Sequence, residues 1–234
     1  METLRALLYG VSAQRPSHSV FVGDQQLPLE ARMGGIFLGF LCALILITVL
    51  GRLRASDPPA GLSGLACWFL IALTGLDGLN AFLFDGNLPH LYSPSGAARL
   101  FTGLGAGLGL GLIAIPVVAS VVWKQPSEEA SIEDPIELLA GLALIGLVGG
   151  LMLLGVGVLL WPIALAMLGA VLIAFGVANL YVIVLASGQA RRARELGDLR
   201  GGLIGSLGLG LLELAGLSLL RTFLIATFGF SWGV

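Results

Sequence analysis

Charge is what this chain has least of. Asp, Glu, Lys and Arg make up 11% of its 234 residues and hydrophobic residues 57%, whereas a soluble protein is about 25% charged. So few polar side chains cannot cover a soluble core of this size. A basic excess is also missing. Lys and Arg number 12 against 14 Asp and Glu, for a net charge of -2, which leaves nucleic-acid binding without an electrostatic footprint. Cysteine is limited to Cys42 and Cys67, both in apolar runs and without CxxC or ligand-like spacing, so neither a metal site nor a redox pair is expected. Histidine is limited to His18 and His90, both in loop-like stretches, which argues against haem or quinone ligation. Met1 to Gly10 lacks a long apolar run. No cleavable signal peptide is expected, and the first span is expected to direct insertion. No internal repeat and no separate soluble domain are visible.

What the chain has in plenty is apolar sequence at membrane-spanning length. A span needs about 20 mostly apolar residues. Six are expected, at about 34–50, 62–84, 100–123, 136–160, 163–187 and 202–228. The fourth and fifth are separated at Trp161-Pro162, a pair suited to an interfacial turn. The fold class is therefore all-α, a polytopic membrane protein with residues 1–33 as an extracytoplasmic N-terminal segment. Glycine is abundant at 35 residues. Gly103, Gly107 and Gly111 share one face of the third span, which reads as close helix packing. A phosphate-cradling loop does not fit, because no strand precedes them and no Gly-Lys-Ser/Thr follows.

Orientation follows from the basic residues in short loops. Arg52, Arg54, Lys124, Arg191, Arg192, Arg194 and Arg200 fall on one face, against Arg5, Arg15, Arg32 and Arg99 on the other. The N-terminal segment is therefore expected outside the cytoplasm.

Four polar stretches are expected to meet at that outer face. They are Ser12–Ser19, Leu27–Gly35 with a Pro-started turn, Asp77-Gly78-Leu79-Asn80, and Ser95–Arg99 leading into Thr102-Gly103. Thr74, Asp77 and Asn80 recur at i, i+3 and i+6, roughly one helical face. The site residues expected to bind a ligand or partner are Arg15, His18, Glu30, Arg32, Asp77, Asn80 and Arg99. Each also has a structural reading. Arg32 and Arg99 suit interfacial anchors, Glu30 with Arg32 a boundary ion pair, and His18 a solvated or capping residue. Asp77 inside an apolar span costs about 2.5 to 3.5 kcal/mol to insert, so it needs a partner or a polar cavity. Arg99 is the expected partner. Glu213 and Arg221 in the sixth span lie about 12 Å apart axially, so each needs a partner elsewhere. The acidic stretch Glu128 to Glu137 reads as a solvated loop and helix start.

At these same stretches the chain resembles a bacterial and archaeal membrane-protein family, the domain-of-unknown-function family DUF2085. The first block is carried by Gln14, Arg15, Pro16, His18 and Ser19. The second is carried by Leu27, Pro28, Ala31, Arg32, Gly35, Ile36 and Gly39, and the third by Asp77, Gly78, Arg99, Thr102 and Gly103. The resemblance covers roughly the first half of the chain. The family's cysteines fall at Ser12, Glu30 and Met33 here, and a family histidine falls at Ala13. A thiolate-dependent metal or redox site is thus not expected in this member. The family name implies no reaction.

The function expected is a non-catalytic membrane subunit or scaffold of a larger assembly in a prokaryotic cell membrane. Its partners would be membrane lipids and other membrane subunits, with no cofactor, no metal and no catalytic residue. Its basic outer pocket would hold an anionic lipid headgroup or an acidic partner segment. Two other classes remain open. One is an enzyme acting on a lipid or isoprenoid substrate, with His18 or Glu30 as base. The other is a transporter or proton pathway using Asp77, Glu213 and Arg221.

Overall fold

The computed structural model describes residues 1–229. Six of its helices are long and apolar enough to cross a membrane. They are α2 (Ala31–Val49), α3 (Gly61–Asp85), α4 (Gly96–Val122), α5 (Pro135–Leu153), α6 (Leu160–Ala186) and α7 (Arg200–Phe228). A short α1 (Glu2–Leu8) precedes them. The protein is an all-α, multi-pass membrane protein.

Local chemistry sets the helix ends. α2 stops at Gly51, whose φ of +73° only glycine adopts freely. There the N–H groups of Gly51 and Arg52 donate back to the carbonyls of Thr48 and Ile47 at 3.0 and 2.9 Å. α4 starts at Ser95, whose hydroxyl accepts the Ala98 N–H at 3.1 Å. α5 starts with a reciprocal capping box between Asp134 and Glu137. The α5–α6 turn falls earlier than Trp161-Pro162. It is made by residues 154–159, with Gly155 at positive φ. Pro162 instead sits in the first turn of α6, where its missing N–H costs nothing.

The N-terminal segment carries structure of its own around the irregular stretch at Ser12–Arg15. Besides α1 it forms an antiparallel hairpin of β1 (Ser19–Val22) and β2 (Gln25–Glu30). Gly23, at φ +60°, opens the two-residue turn. Leu8, Leu27 and Leu29 are fully buried, and Gly23 N–H donates to the Gly155 carbonyl at 2.7 Å. The hairpin therefore caps the ends of the bundle. Pro28 lies inside β2 rather than opening a turn, and β2 runs straight into α2.

α4 stands in the middle, packed against α2, α3, α5 and α6. Its glycines face two neighbours. A Cβ on Gly103 or Gly107 would strike the Arg32 or Ile36 carbonyl on α2, while a Cβ on Gly35 of α2 would come within 2.6 Å of the Leu100 carbonyl. A Cβ on Gly109 would come within 2.7 Å of the Cys67 carbonyl on α3. Two Gly-x-x-x-Gly pairs, Gly35/Gly39 and Gly103/Gly107, thus let the α2 and α4 backbones touch. α7 lies at the edge, against α6 and α1.

The opposite face is tied by a parallel pair, β3 (Ala55–Asp57) with β4 (Ser127–Ala130). Arg52 reaches Glu137 at 2.5 Å and Glu133 at 3.1 Å, so two of the acidic-loop residues are paired rather than merely solvated. The hydrogen bond to Glu137 raises the Arg52 pKa.

Gly107→Val should sharply lower the temperature at which the detergent-solubilised protein unfolds, since overpacking costs about 1–3 kcal/mol or more. Gly146→Ala, on α5 with no atom within 4 Å of the new methyl, should leave that temperature unchanged or slightly higher. Equal stability of Gly107→Val and wild type would mean that α2 and α4 do not meet at their backbones.

Candidate functional site

The last two turns of α3, the first turns of α2 and α4, and the residues just before β1 come together at the N-terminal face. Asp77 is the innermost member, with 2% of its surface exposed. One oxygen accepts from the Tyr92 hydroxyl at 2.5 Å, and the other takes the Arg32 guanidinium in a short ion pair. The Thr102 hydroxyl lies 3.4 Å from that second oxygen, but its proton has a better acceptor in the Ala98 carbonyl at 2.8 Å.

The expected Asp77–Arg99 pair does not form, because Arg32 takes the carboxylate. α2 and α3 both pack on α4, which brings the Arg32 side chain within reach of Asp77, and Gly78 leaves room for the guanidinium. A methyl there would sit 3.7 Å from Arg32 Nη1. The boundary ion pair expected between Glu30 and Arg32 is likewise replaced. Glu30 Oε1 accepts from both the backbone N–H and the Nε–H of Arg15, each at 3.0 Å.

Asn80 is a positioning residue. Its carbonyl oxygen accepts the Leu91 N–H at 2.8 Å, and its amide donates to the Tyr92 carbonyl at 2.9 Å. This holds the α3–α4 loop so that the Tyr92 hydroxyl reaches Asp77. In return, the Asp77 carboxylate raises the Tyr92 pKa. Thr74, on the same face, donates to the Thr102 carbonyl at 2.5 Å.

Above this buried layer lies an open cavity of about 490 Å³, lined by Arg15, His18, Glu30, Arg32, Asp85 and Arg99 among others. Six of the seven expected site residues therefore converge on one place, with Asn80 supporting it from behind, once Asp77 is counted as the cavity's buried anchor. Asp85 and Tyr92 were not anticipated. Asp77, Ala81 and Asp85 follow at i, i+4 and i+8, so the helical face that carries Asp77 also carries Asp85. Tyr92 had no such signal.

Arg15 and Arg32 have carboxylate partners, but Arg99 has none within ion-pair distance among the described residues. It is 5% exposed, its Nε has no partner, and Nη1 makes one long contact of 3.5 Å to the Ser17 carbonyl. Arg32 Nε is also buried without a partner. Buried polar groups are normally satisfied, so this cavity has unused donor capacity of cationic type.

His18 faces the cavity with its Nε2 3.6 Å from Asp85. Burial lowers its pKa, and the cations Arg99 and Arg15 lower it further, against Glu30 and Asp85. Its neutral form therefore prevails at neutral pH.

Other expected residues lie apart. Glu213 accepts from the Asn179 amide at 2.8 Å. Arg221 donates to the Tyr9 and Ser12 carbonyls at 2.8 and 2.5 Å and sits over the Tyr9 ring. His90 packs edge-on against Phe84. Cys42 and Cys67 are buried, free thiols. Among the described residues, no group of three or more His, Cys, Asp or Glu is placed to share a metal ion. Ser12 and Glu30, two of the positions where the family resemblance implies cysteine, do touch: the Ser12 hydroxyl accepts the Glu30 N–H at 3.0 Å.

Residues 12–113 match the model of a family described as "Predicted membrane protein (DUF2085)". That segment contains every residue lining the cavity, the helices α2 and α3, and α4 as far as Ile113. No curated protein and no solved structure matches the chain.

The His18 pKa is lower in the folded protein than in the unfolded chain, so the unfolded state binds the extra proton first. The stability His18 contributes is complete above pH about 6.5, the unfolded value, and is lost as pH falls below it. The melting temperature should therefore drop between pH 7.5 and 5.5, and His18→Gln should reduce that drop. An unchanged pH dependence in His18→Gln would remove His18 as its source.

Proposed function

We propose that the protein is a non-catalytic, multi-pass subunit or scaffold of a membrane assembly, and that its N-terminal-face cavity holds an anionic group carried by a membrane-bound partner. Arg99 carries this reading. A guanidinium buried at the wall of an open cavity, with no carboxylate of its own, costs desolvation energy that an incoming anion offsets. Arg15 and Arg32 flank it, and planar guanidinium groups suit bidentate capture of a carboxylate or phosphate. Phe82, 70% exposed at the cavity rim, suits an anion attached to something apolar. The ligand chemistry is thus a phosphate headgroup or a carboxylate on an acidic partner segment, at the outer face of a prokaryotic cell membrane.

A second reading, an enzyme acting on a phosphorylated lipid or isoprenoid, is favoured by one observation. His18 is neutral at neutral pH and sits beside Asp85 in the same cavity, as a general base should. Glu30 is a poorer base, because Arg15 already occupies it twice.

Mass spectrometry of the protein purified in mild detergent tests the proposal. A stoichiometric partner subunit or a tightly held anionic lipid is expected, and Arg99→Gln should lose it. A subunit identifies the scaffold arm, and a lipid the headgroup arm. Wild-type protein that purifies alone, or an Arg99→Gln variant that keeps its companion, overturns the proposal. Turnover of an added phospholipid that stops in His18→Gln establishes the enzyme reading instead.

A further inference from the structure

A second site of different design lies at the opposite end of the bundle and is independent of the function proposed above. The loop between α6 and α7 is pinned to the end of α4. Lys124 N–H donates to the Ala193 carbonyl at 2.8 Å, and Ala193 N–H donates to the Val122 carbonyl at 3.3 Å. This leaves two adjoining cavities that share Trp123 as a wall.

The outer cavity, about 360 Å³, is basic. Arg54, Lys124 and Arg194 line it with Trp123, Gln125 and Ala193, and no acidic residue does. Arg54 stacks on the Trp123 ring at 4.9 Å and donates to the Arg194 carbonyl at 2.5 Å. None of the three cations forms an ion pair among the described residues. Nearby, Asp198 is engaged with the N–H groups of Arg194 and Glu195.

The inner cavity, about 270 Å³, runs between α2, α4, α6 and α7 and is lined almost wholly by carbon. Its walls include Leu53, Val118, Ile173, Leu180 and Leu203. The Ser206 hydroxyl, its polar side chain, is spent on the Leu203 carbonyl at 3.0 Å.

We propose that this pair of cavities binds one anionic glycerophospholipid, its phosphate among Arg54, Lys124 and Arg194 and part of an acyl chain in the apolar slot beyond Trp123. A free phosphate leaves the slot empty, and an uncharged lipid leaves the three cations unmatched. An anionic lipid fits both, because its headgroup and chain are joined at the same depth as Trp123 joins the two cavities. Basic pockets between spanning helices recognise headgroups in this way, with each cation near the surface contributing favourably, and Trp is enriched at that interfacial depth.

Native mass spectrometry of the full chain in detergent, titrated with dioleoylphosphatidylglycerol or dioleoylphosphatidylcholine, tests this. Apart from any lipid held at the Arg99 cavity, one phosphatidylglycerol per chain is expected to bind at least about tenfold more tightly than phosphatidylcholine. Arg54→Gln with Arg194→Gln should remove that preference, and the Arg→Lys pair should largely keep it. Val118→Trp, which fills the slot, should weaken binding of the lipid. Glycerol 3-phosphate should fail to compete, while Arg99→Gln at the other face should leave this binding unchanged. Equal affinity of the native protein for the two lipids, a comparison needing no variant, overturns the proposal. So does displacement of the lipid by equimolar glycerol 3-phosphate, or its loss in Arg99→Gln rather than in the Arg54/Arg194 variant.

Discussion

A carboxylate buried between apolar helices has to be matched by a charge, and at Asp77 that requirement organises the N-terminal face. The Arg32 guanidinium supplies the charge and Tyr92 the second hydrogen bond. Arg32 can reach only because α2 lies against α4 at the backbone, and that approach depends on Gly35, Gly39, Gly103 and Gly107. Small residues in α2 and α4 are therefore linked to an ion pair on α2 and α3, and the ion pair to a loop held by Asn80. Packing, electrostatics and loop geometry support one another at this end of the molecule.

The same arrangement gives the cavity its character. With Asp77 taken by Arg32 and Glu30 by Arg15, Arg99 is left as a buried cation facing open space. Asp85 stands among His18 and Arg15 at longer distances of 3.6 and 4.0 Å, so it moderates the site without closing it. Glu30, engaged twice by Arg15, is spent as a base, whereas His18 has only the longer contact to Asp85.

Much of this was legible in the residues. Low charge and long apolar runs required six spans, and the alternation of spans brought Arg15, His18, Glu30, Arg32, Asp77 and Arg99 to one end before any contact was known. What could not be read was which Arg meets which carboxylate. Arg32 and Arg99 both begin helices at the same depth, and only the side-by-side packing of α2 and α4 decides between them. The hairpin was missed because its signals are short. Val20, Val22, Leu27 and Leu29 bury themselves against the bundle ends, and such burial depends on tertiary contacts rather than on a long periodic run. Asp85 was within reach of the helical spacing from Asp77, whereas Tyr92 lies in a loop whose course Asn80 sets.

The central interaction is the neutralisation of Asp77 by Arg32, which leaves Arg99 without an ion pair among the described residues. Double-mutant cycles on stability in detergent measure this directly, using Asp77→Asn with Arg32→Gln and Asp77→Asn with Arg99→Gln. Removing one partner of a buried pair costs about 3–5 kcal/mol, and removing both costs much less than the sum. The Asp77/Arg32 cycle should therefore be strongly non-additive and the Asp77/Arg99 cycle close to additive. The reverse pattern, with strong coupling to Arg99 and none to Arg32, would contradict the account.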